Sequence, residues 1–410
     1  MKILPRYWII VLLLLIVTSL SFLDRQVLSI TIIKIKEDLF ISDVDYGFIN
    51  SGFLASYAIM FTLGGILIDK YGSRMGLAFS VGFWSLATML HSLAGSIMHL
   101  TLFRFMLGAG EGGCFPGAIK AVIEWVPKKK RALASGIAIG GAAFGAVVAP
   151  PLCGYMLGFW GWKMIFIVTG GFGFVWLIFW LLATSKKSES STSTQADEKV
   201  LQVPKYNFIK TLKSKEAIVF MVMRFLLDPI LYFYMFWIPK YLNEEHQMGV
   251  EFIGQVLWIP FLALGIANIG GGWFSDLIFI RTQKTRESRL IVMGLAALLT
   301  LPVIFIDSMG SYVIILFVMG LAFFAHGLWI TNYITSIADV FGKSATSTVV
   351  GLSGTAGALS SLVLNPIIGY VISTWSYNPL WVYAGVMYPV VFIGFMLFML
   401  PGKVRLGVGV

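Results

Sequence analysis

The sequence predicts an all-α membrane protein with twelve transmembrane helices in two six-helix bundles and with both termini in the cytoplasm. Its composition, its apolar stretches and an internal repeat lead to this prediction. Of the 410 residues, 58% are hydrophobic and 12% are charged, whereas soluble domains are about 45–50% apolar and about 25% charged. Because so few charges cannot cover a water-exposed surface, the composition excludes a soluble enzyme, a disordered regulator and a nucleic-acid-binding module.

Twelve apolar stretches are long enough to cross a bilayer, which takes about 20 mostly apolar residues. We number them spans 1 to 12, and they cover residues 7–33, 46–68, 76–95, 98–122, 132–157, 162–184, 216–240, 251–274, 290–307, 311–337, 346–372 and 378–400. Span 1 follows two cations, as a signal peptide does, but its apolar core is long and no small-residue cleavage site follows it. We therefore expect span 1 to be retained as the first helix.

Lysine and arginine predict the orientation of these spans, because cytoplasmic loops of membrane proteins are enriched in both. With the N-terminus inside, the cytoplasmic segments hold 22 of the 30 basic residues. The outer loops then hold only Lys34, Lys36, Lys163 and Lys240. The net charge of +10 therefore indicates membrane topology rather than binding to nucleic acid. We expect a multi-pass protein of the cell membrane.

A polar, Ser/Thr-rich stretch at residues 185–215 interrupts the series of spans and is typical of a flexible linker. It separates an N-terminal bundle, residues 1–184, from a C-terminal bundle, residues 216–410. The two halves also share sequence features. Asp69 and Asp276 are 207 residues apart, and near the fourth span of each half the offset becomes 215, as between Pro151 and Pro366. Parallel six-helix repeats of this kind are typical of transporters.

The loop after span 2 reads GGILIDKYGSR, and the loop after span 8 begins GGWFSD. The first resembles the loop signature of the major facilitator superfamily and implies that superfamily's fold. The residues that match it, together with the repeated acid, are predicted to form a gating loop: Gly65, Asp69, Gly72, Arg74 and Asp276. Asp69 is expected to cap or ion-pair at a helix end, and Gly72 to permit a tight turn.

A narrower resemblance covers most of the chain. FLDRQVLS in span 1, FRFMLGAGEGGCFPGAIKAVIEWVP in span 4, RFLLDPILYFYMFWIPKYL in span 7 and ADVFGKSATSTVVGLSGTAGAL leading into span 11 resemble the anion:cation symporter family, and most closely its hexuronate transporters. The resemblance implies import of a small organic anion such as a sugar acid together with protons. We expect a monomer that uses the proton gradient and needs no cofactor. One departure, GKSA at 342–345, concerns a cytoplasmic loop.

Six ionisable residues lie at bilayer depth, where each costs about 2.5–3.5 kcal/mol on insertion scales and indicates function. They are Asp24, Arg25, Arg104, Glu111, Arg224 and Asp228. They belong to spans 1, 4 and 7, and span 10 carries His326, which is 215 residues from Glu111. In the superfamily that the sequence resembles, these four spans line the central cavity. The six residues are therefore expected to face that cavity or one another.

The resemblance implies that Asp24 and Glu111 carry protons and that Arg25 binds the substrate anion. Arginine suits this role because it stays charged and offers a planar fork to a carboxylate. Protonation of Asp24 is expected to free Arg25 for the substrate. Arg104, two helical turns from Glu111, is expected to tune that glutamate or to contact the substrate. The alternative is a static set of ion pairs, and an i,i+4 salt bridge within span 7 is expected.

Sugar hydroxyls need neutral hydrogen-bonding groups and an aromatic wall. Tyr57 matches a substrate tyrosine of the family, and five further residues of the second half are candidates for substrate binding: Tyr232, Tyr234, His326, Trp329 and Asn332. For these five residues, packing within the bundle is the alternative.

The sequence has no phosphate-binding loop, catalytic triad or metal-ligand spacing, and Cys114 and Cys153 cannot form a disulfide framework or a thiolate metal site by themselves. We therefore expect neither an enzyme nor a metalloprotein. Three alternatives to hexuronate symport stay open: transport of another carboxylate, anion exchange on the same fold, and a non-transporting membrane receptor.

Overall fold

The computed structural model describes residues 5–127, 130–185 and 211–399, and the regular structure in these ranges is entirely helical. Most of the predicted linker, residues 186–210, and the chain end after residue 399 lie outside the described residues. Nine helices in the described ranges are long and apolar enough to cross a membrane.

The described residues of the first part of the chain form five α-helices and a short 3₁₀ turn at His91–Leu93. The helices are α1 (Arg6–Leu39), α2 (Asp43–Leu90), α3 (Ile97–Glu111), α4 (Cys114–Trp125) and α5 (Arg131–Ala183). Two of them turn sharply at a glycine: α2 at Gly72 (φ 81°, ψ 159°) and α5 at Gly161 (φ 72°, ψ 169°). Only glycine adopts this backbone conformation readily. The tight turn predicted at Gly72 is confirmed.

The second part of the chain forms six α-helices and a 3₁₀ segment at Leu301–Ser308. The helices are α6 (Lys215–Glu244), α7 (Val250–Val256), α8 (Trp258–Thr282), α9 (Thr285–Leu299), α10 (Tyr312–Thr374) and α11 (Asn378–Phe398). Within α10, two separate stretches, Tyr312–Phe341 and Thr348–Thr374, are each long and apolar enough to span a membrane.

Three spans that we predicted as continuous helices are interrupted, each near a proline. Span 4 breaks between α3 and α4 just before Pro116, span 8 breaks before Pro260, and span 9 ends as a 3₁₀ segment at Pro302. Proline has no amide hydrogen to donate to the carbonyl four residues earlier. The break in span 4 matters for the site, because it makes Glu111 the last residue of α3.

The chain divides into two compact units. The first contains Met1–Gln202 and Phe236–Trp258, and the second contains Val203–Met235 and Ile259–Val410. The backbone therefore passes from the second unit into the first near the end of α6 and returns at the start of α8.

Close packing of α5 against α1 involves two of the glycines in α5. A Cβ at Gly141 or Gly145 would collide with the backbone carbonyl oxygen of Leu15 or Ser19 in α1. The nearby Gly140 has open space around its Cα. Close approach of α5 to α1 therefore requires glycine at these two positions.

Candidate site around the Arg25–Glu111 ion pair

The first unit buries an ion pair between α1 and α3. Arg25 donates to Oε2 of Glu111 through Nη2 at 2.7 Å and through Nε at 3.1 Å. Ser21, one turn earlier on the same face of α1, donates its hydroxyl to that oxygen at 3.1 Å. The Arg25 and Glu111 side chains are 4% and 0% exposed, so each charge depends on the other for stabilisation. The second oxygen, Oε1, is buried and receives no hydrogen bond from the described residues.

Three aromatic rings surround the guanidinium of this pair. The Cζ atom of Arg25 lies 4.6 Å from the ring centroid of Phe22, 5.0 Å from that of Phe53 and 4.8 Å from that of Tyr57. A guanidinium this close to a ring face is attracted by the ring quadrupole. Tyr57, the predicted substrate tyrosine, therefore lies directly beside Arg25. Its contact with a substrate stays a prediction.

Arg104 also points into this region but does not hold Glu111. Its Nη2 donates to the backbone carbonyl of Arg25 at 3.3 Å. Its Nε and Nη1 are buried without a hydrogen-bond partner among the described residues. Arg25 is the ion-pair partner of Glu111, and Arg104 acts on that glutamate through its charge at longer range, which agrees with the predicted tuning role. Arg104 keeps free donors in a buried region, which makes it a candidate for binding an anion.

Asp24 faces away from Arg25, because successive residues of a helix point about 100° apart. Its carboxylate is buried beside the indole of Trp84 and the hydroxyl of Thr169, and none of these three groups forms a hydrogen bond with the described residues. The expectation that Asp24 competes for Arg25 is therefore wrong, since Glu111 is the carboxylate bound to it. Asp24 and Glu111 have different hydrogen-bond partners but remain close enough to interact electrostatically, and both also interact with Arg104.

In the second unit, α6 carries the salt bridge that the i,i+4 spacing predicted. Arg224 donates to Asp228 through Nε at 2.7 Å and through Nη2 at 2.6 Å, and the prediction is confirmed. The carboxylate of Asp228 lies against Gly357 of α10, where an added Cβ would collide with it. Gly357 therefore has a specific role in seating this ion pair.

His326 of the second unit forms a buried hydrogen bond with a residue that the sequence did not single out. Its Nδ1 lies 2.6 Å from the hydroxyl oxygen of Tyr388 in α11. The ring of Trp329 meets the same tyrosine edge to face, with centroids 5.4 Å apart. All three side chains are buried. Both predicted residues thus pack on Tyr388, and their contact with a substrate stays a prediction.

The remaining candidates of the second unit differ in their surroundings. Tyr232 is half-buried on α6. Tyr234 is buried and stacks on Phe323 at 5.5 Å, and its hydroxyl has no partner among the described residues. Asn332 donates to the carbonyl of Gly271 at 3.1 Å and so ties α10 to α8. Of these, Tyr234 offers an unused polar group, whereas the amide donors of Asn332 are already used in helix packing.

Four of the predicted gating-loop residues lie in α2 around its turn at Gly72, and Asp276 lies in the last two turns of α8. Asp69 forms an ion pair with Lys120 of α4, Oδ1 to Nζ 3.1 Å, and its side chain is 71% exposed. Lys120 also lies 3.9 Å from Glu124, which accepts hydrogen bonds from the backbone and hydroxyl of Ser73. One lysine therefore links the loop acid to the end of span 4.

The second unit repeats this arrangement with a different cation. Arg289 of α9 lies 3.4 Å from Asp276 and 3.2 Å from Asp339. In the first unit, Arg74 is exposed and its backbone carbonyl accepts a hydrogen bond from Trp180. Gly65 faces α4 at ordinary contact distance. A role of these residues in gating stays a prediction.

Sequence reasoning missed Ser21, Phe22, Phe53 and Tyr388. Ser21 directly precedes the FLDR motif and Phe22 is its first residue; Ser21 lies one turn before Arg25, so the i,i+4 rule could have identified the serine. Phe53 lies one turn before Tyr57 in the same way. No local signal marks Tyr388, because its partner is in another helix. In the described ranges, no group of three or more His, Cys, Asp or Glu residues could hold a metal ion.

Comparisons with known proteins agree with the fold. A family profile described as Major Facilitator Superfamily matches residues 14–364. The chain is 30% identical over 409 residues to the probable galactarate/D-glucarate transporter of Escherichia coli (strain K12), covering 92% of this chain and 91% of that protein. It is 27% identical over 386 residues to the hexuronate transporter of the same strain, covering 91% and 89%. A solved D-xylose-proton symporter matches with a TM-score of 0.76 at 13% identity, covering 97% of this chain and 98% of that chain.

Proposed function

This chain belongs to the major facilitator superfamily, and we propose that it imports an organic anion, a hexuronate or a related sugar acid, in symport with protons and by alternating access. It is a multi-pass protein of the plasma membrane and a transporter, not an enzyme. The predicted resemblance to the sugar-acid transporters of this superfamily is confirmed.

The observation that carries the proposal is the buried pair of Arg25 and Glu111. An imported carboxylate needs a cation that keeps its charge at bilayer depth, and arginine provides one. In the structure, however, Glu111 already occupies that arginine. Protonation of Glu111 removes this competing charge and frees the guanidinium. A proton on Glu111 and an anion on Arg25 therefore favour each other, which is the coupling that symport requires.

The surroundings of the pair support a sugar acid over a smaller anion. Tyr57 adds a hydroxyl and a ring face beside Arg25, and Arg104 adds buried donors that are not used by the described residues. We assign Asp24, which has no ion-pair partner among the described residues, as the second proton site. The groups of the second unit that we assign to the sugar body are Tyr232, Tyr234, His326, Trp329 and Asn332.

The topology belongs to the same proposal. We propose twelve membrane spans: the turns at Gly72 and Gly161 each divide a long helix into two, and α3 with α4 forms span 4. Both termini are proposed to be cytoplasmic, with residues 1–184 and 216–410 as the two bundles and 185–215 as the linker. The protein is proposed to work as a monomer, without a cofactor, and to draw on the proton gradient.

Uptake into proteoliposomes tests the function. Purified protein is reconstituted, and accumulation of labelled glucuronate, galacturonate, glucarate and galactarate is measured with and without an inward pH gradient. We expect concentrative uptake of at least one of these acids that disappears with the gradient or with a protonophore. If only another carboxylate is taken up, the proposed substrate class is wrong. If uptake requires an anion inside the vesicles, the protein is an exchanger. Binding without flux in any condition would indicate a receptor.

A further inference from the structure

A closed ring of four charged side chains lies outside the site described above, at the end of α1, the start of α2 and the end of α6. Lys36 binds Asp43 at 2.9 Å and Glu244 at 2.8 Å. Lys240 binds Asp43 at 2.9 Å and also pairs with Glu244. Each lysine thus contacts both acids. We call these four residues the outer ring, because the predicted topology places them on the outer face.

The burial of the outer ring sets it apart from ordinary surface pairs. The side chain of Lys240 is 2% exposed and that of Asp43 is 11% exposed. On the same end of α1, the pair of Lys34 and Glu37 is 51% and 61% exposed, and exposed pairs of this kind contribute little to stability. A buried lysine without an anion is strongly disfavoured. The outer ring is therefore much more sensitive to loss of one member than its exposed neighbour.

The outer ring fixes one segment of the chain within the first unit, although the residues on either side of that segment belong to the second unit. Phe236–Trp258 packs in the unit of Met1–Gln202, whereas the chain before and after it belongs to the second unit. Two further contacts hold the segment. The Tyr46 hydroxyl donates to the Phe236 carbonyl at 2.7 Å, and Gly154 and Gly254 approach so closely that a Cβ on either would lie 2.8 Å from the other's Cα.

We propose that the outer ring is a latch that holds this segment closed against α1 and α2 and opens once in each transport cycle. The proposal rests on the alternating access of the proposed function, in which one face must separate while the other closes. The ring is electrically neutral, and opening it into water leaves two cations and two anions hydrated. The ion pairs therefore stabilise the closed state, and hydration of the separated charges offsets part of the cost of opening. An equally buried apolar contact has no such compensation when water reaches it. Pro229 and Pro260 lie on either side of the segment, and each lacks the amide hydrogen of a helical hydrogen bond, which makes bending there easier.

Spin-label distance measurements on the reconstituted full-length protein test the latch. Labels are placed at Phe40 and Glu245, which are exposed on either side of the ring. The native Cys114 and Cys153 are buried, so labelling is confined to introduced cysteines. In Lys240→Met we expect the ratio of long to short distances to rise at least tenfold. The matched control is Lys34→Met, which removes a lysine from the exposed pair and is expected to leave the distribution unchanged.

Two additions keep the test decisive. A label pair at Phe40 and Phe159, both outside the segment, reports whether the rest of the unit is intact, and it is expected to stay constant in every variant. The complete charge swap, Lys36→Glu and Lys240→Glu with Asp43→Lys and Glu244→Lys, keeps every contact of the ring between opposite charges and is expected to restore the short distance. An unchanged distance in Lys240→Met overturns the latch, and so does a swap that stays open, because the lysine stem and not its charge would then hold the segment. None of these measurements uses a substrate, so a failed latch and a wrong substrate class are told apart.

Discussion

Replacing Glu111 by glutamine tests whether this carboxylate controls access to Arg25. Glutamine has nearly the same size but no charge, so Arg25 loses its competitor while the space stays filled. In the structure, two charge-assisted hydrogen bonds of 2.7 and 3.1 Å join the pair, and hydrogen bonds to charged groups contribute about 1.5–3 kcal/mol each. Relief of even the weaker bond exceeds about 1.4 kcal/mol, which is a factor of ten in Kd.

We therefore expect Glu111→Gln to bind the sugar acid at least about tenfold more tightly at pH 8 and to lose the pH dependence of binding. Glutamine cannot carry a proton, so accumulation driven by a pH gradient should disappear while counterflow continues. Titration calorimetry at pH 6 and pH 8 measures the affinity, and proteoliposomes measure accumulation and counterflow. The control is Glu37→Gln, which removes the same charge from an exposed pair. A Glu111→Gln protein with the pH-dependent affinity of the parent and with intact accumulation would refute the reasoning.

Three further predictions concern packing and gating. Gly145→Ala should lower the melting temperature by several degrees, because overpacking costs about 1–3 kcal/mol, whereas Gly140→Ala, with open space around it, should leave it unchanged or slightly higher. Gly357→Ala should reduce transport strongly, because it collides with a buried carboxylate, and its control Gly354→Ala should not. Asp69→Asn should slow counterflow while leaving affinity and melting temperature nearly unchanged, since an exposed ion pair contributes about 0–1 kcal/mol. A loss confined to affinity would contradict this role for Asp69.

Much of the fold follows from local signals in the sequence. Apolar length and composition identify the helices, Gly72 marks a turn that other residues adopt rarely, and the spacing of Arg224 and Asp228 predicts their salt bridge. Each of these features depends on residues that are near one another in the chain. The interruptions of spans 4, 8 and 9 lie near prolines, each of which removes one helical hydrogen bond, but helices also continue through Pro150, Pro366 and Pro389, so proline alone does not predict where a span breaks.

The pairing of distant charges could not be read in the same way. The sequence shows which ionisable residues lie at bilayer depth, but the choice between Asp24 and Glu111 as the partner of Arg25 depends on the rotation of α1 against α3. The outer ring poses the same problem at larger separation, since Lys36 and Glu244 are 208 residues apart. From the sequence, its lysines looked like ordinary loop cations.

Comparison of the two repeated halves shows which ion pairs occur in both units and which occur in only one. In each unit, one cation lies between a loop acid and an acid near the end of the fourth helix of that half. The acids follow the repeat, but the cation is Lys120 of α4 in one unit and Arg289 of α9 in the other. A partly exposed contact of this kind tolerates a different cation from a different helix, because it depends only on where the positive charge lies.

At bilayer depth the repeat has instead diverged in chemistry. Glu111 and His326 are 215 residues apart and so occupy equivalent positions, yet Glu111 binds an arginine and a serine while His326 binds the hydroxyl of Tyr388. A carboxylate paired with a guanidinium changes the net charge of its surroundings when it takes up a proton, and this links it to an anion. The hydroxyl that His326 contacts is uncharged, so this hydrogen bond does not hold an anion-binding cation in place. We therefore assign coupling to the first unit and recognition of the uncharged part of the substrate to the second.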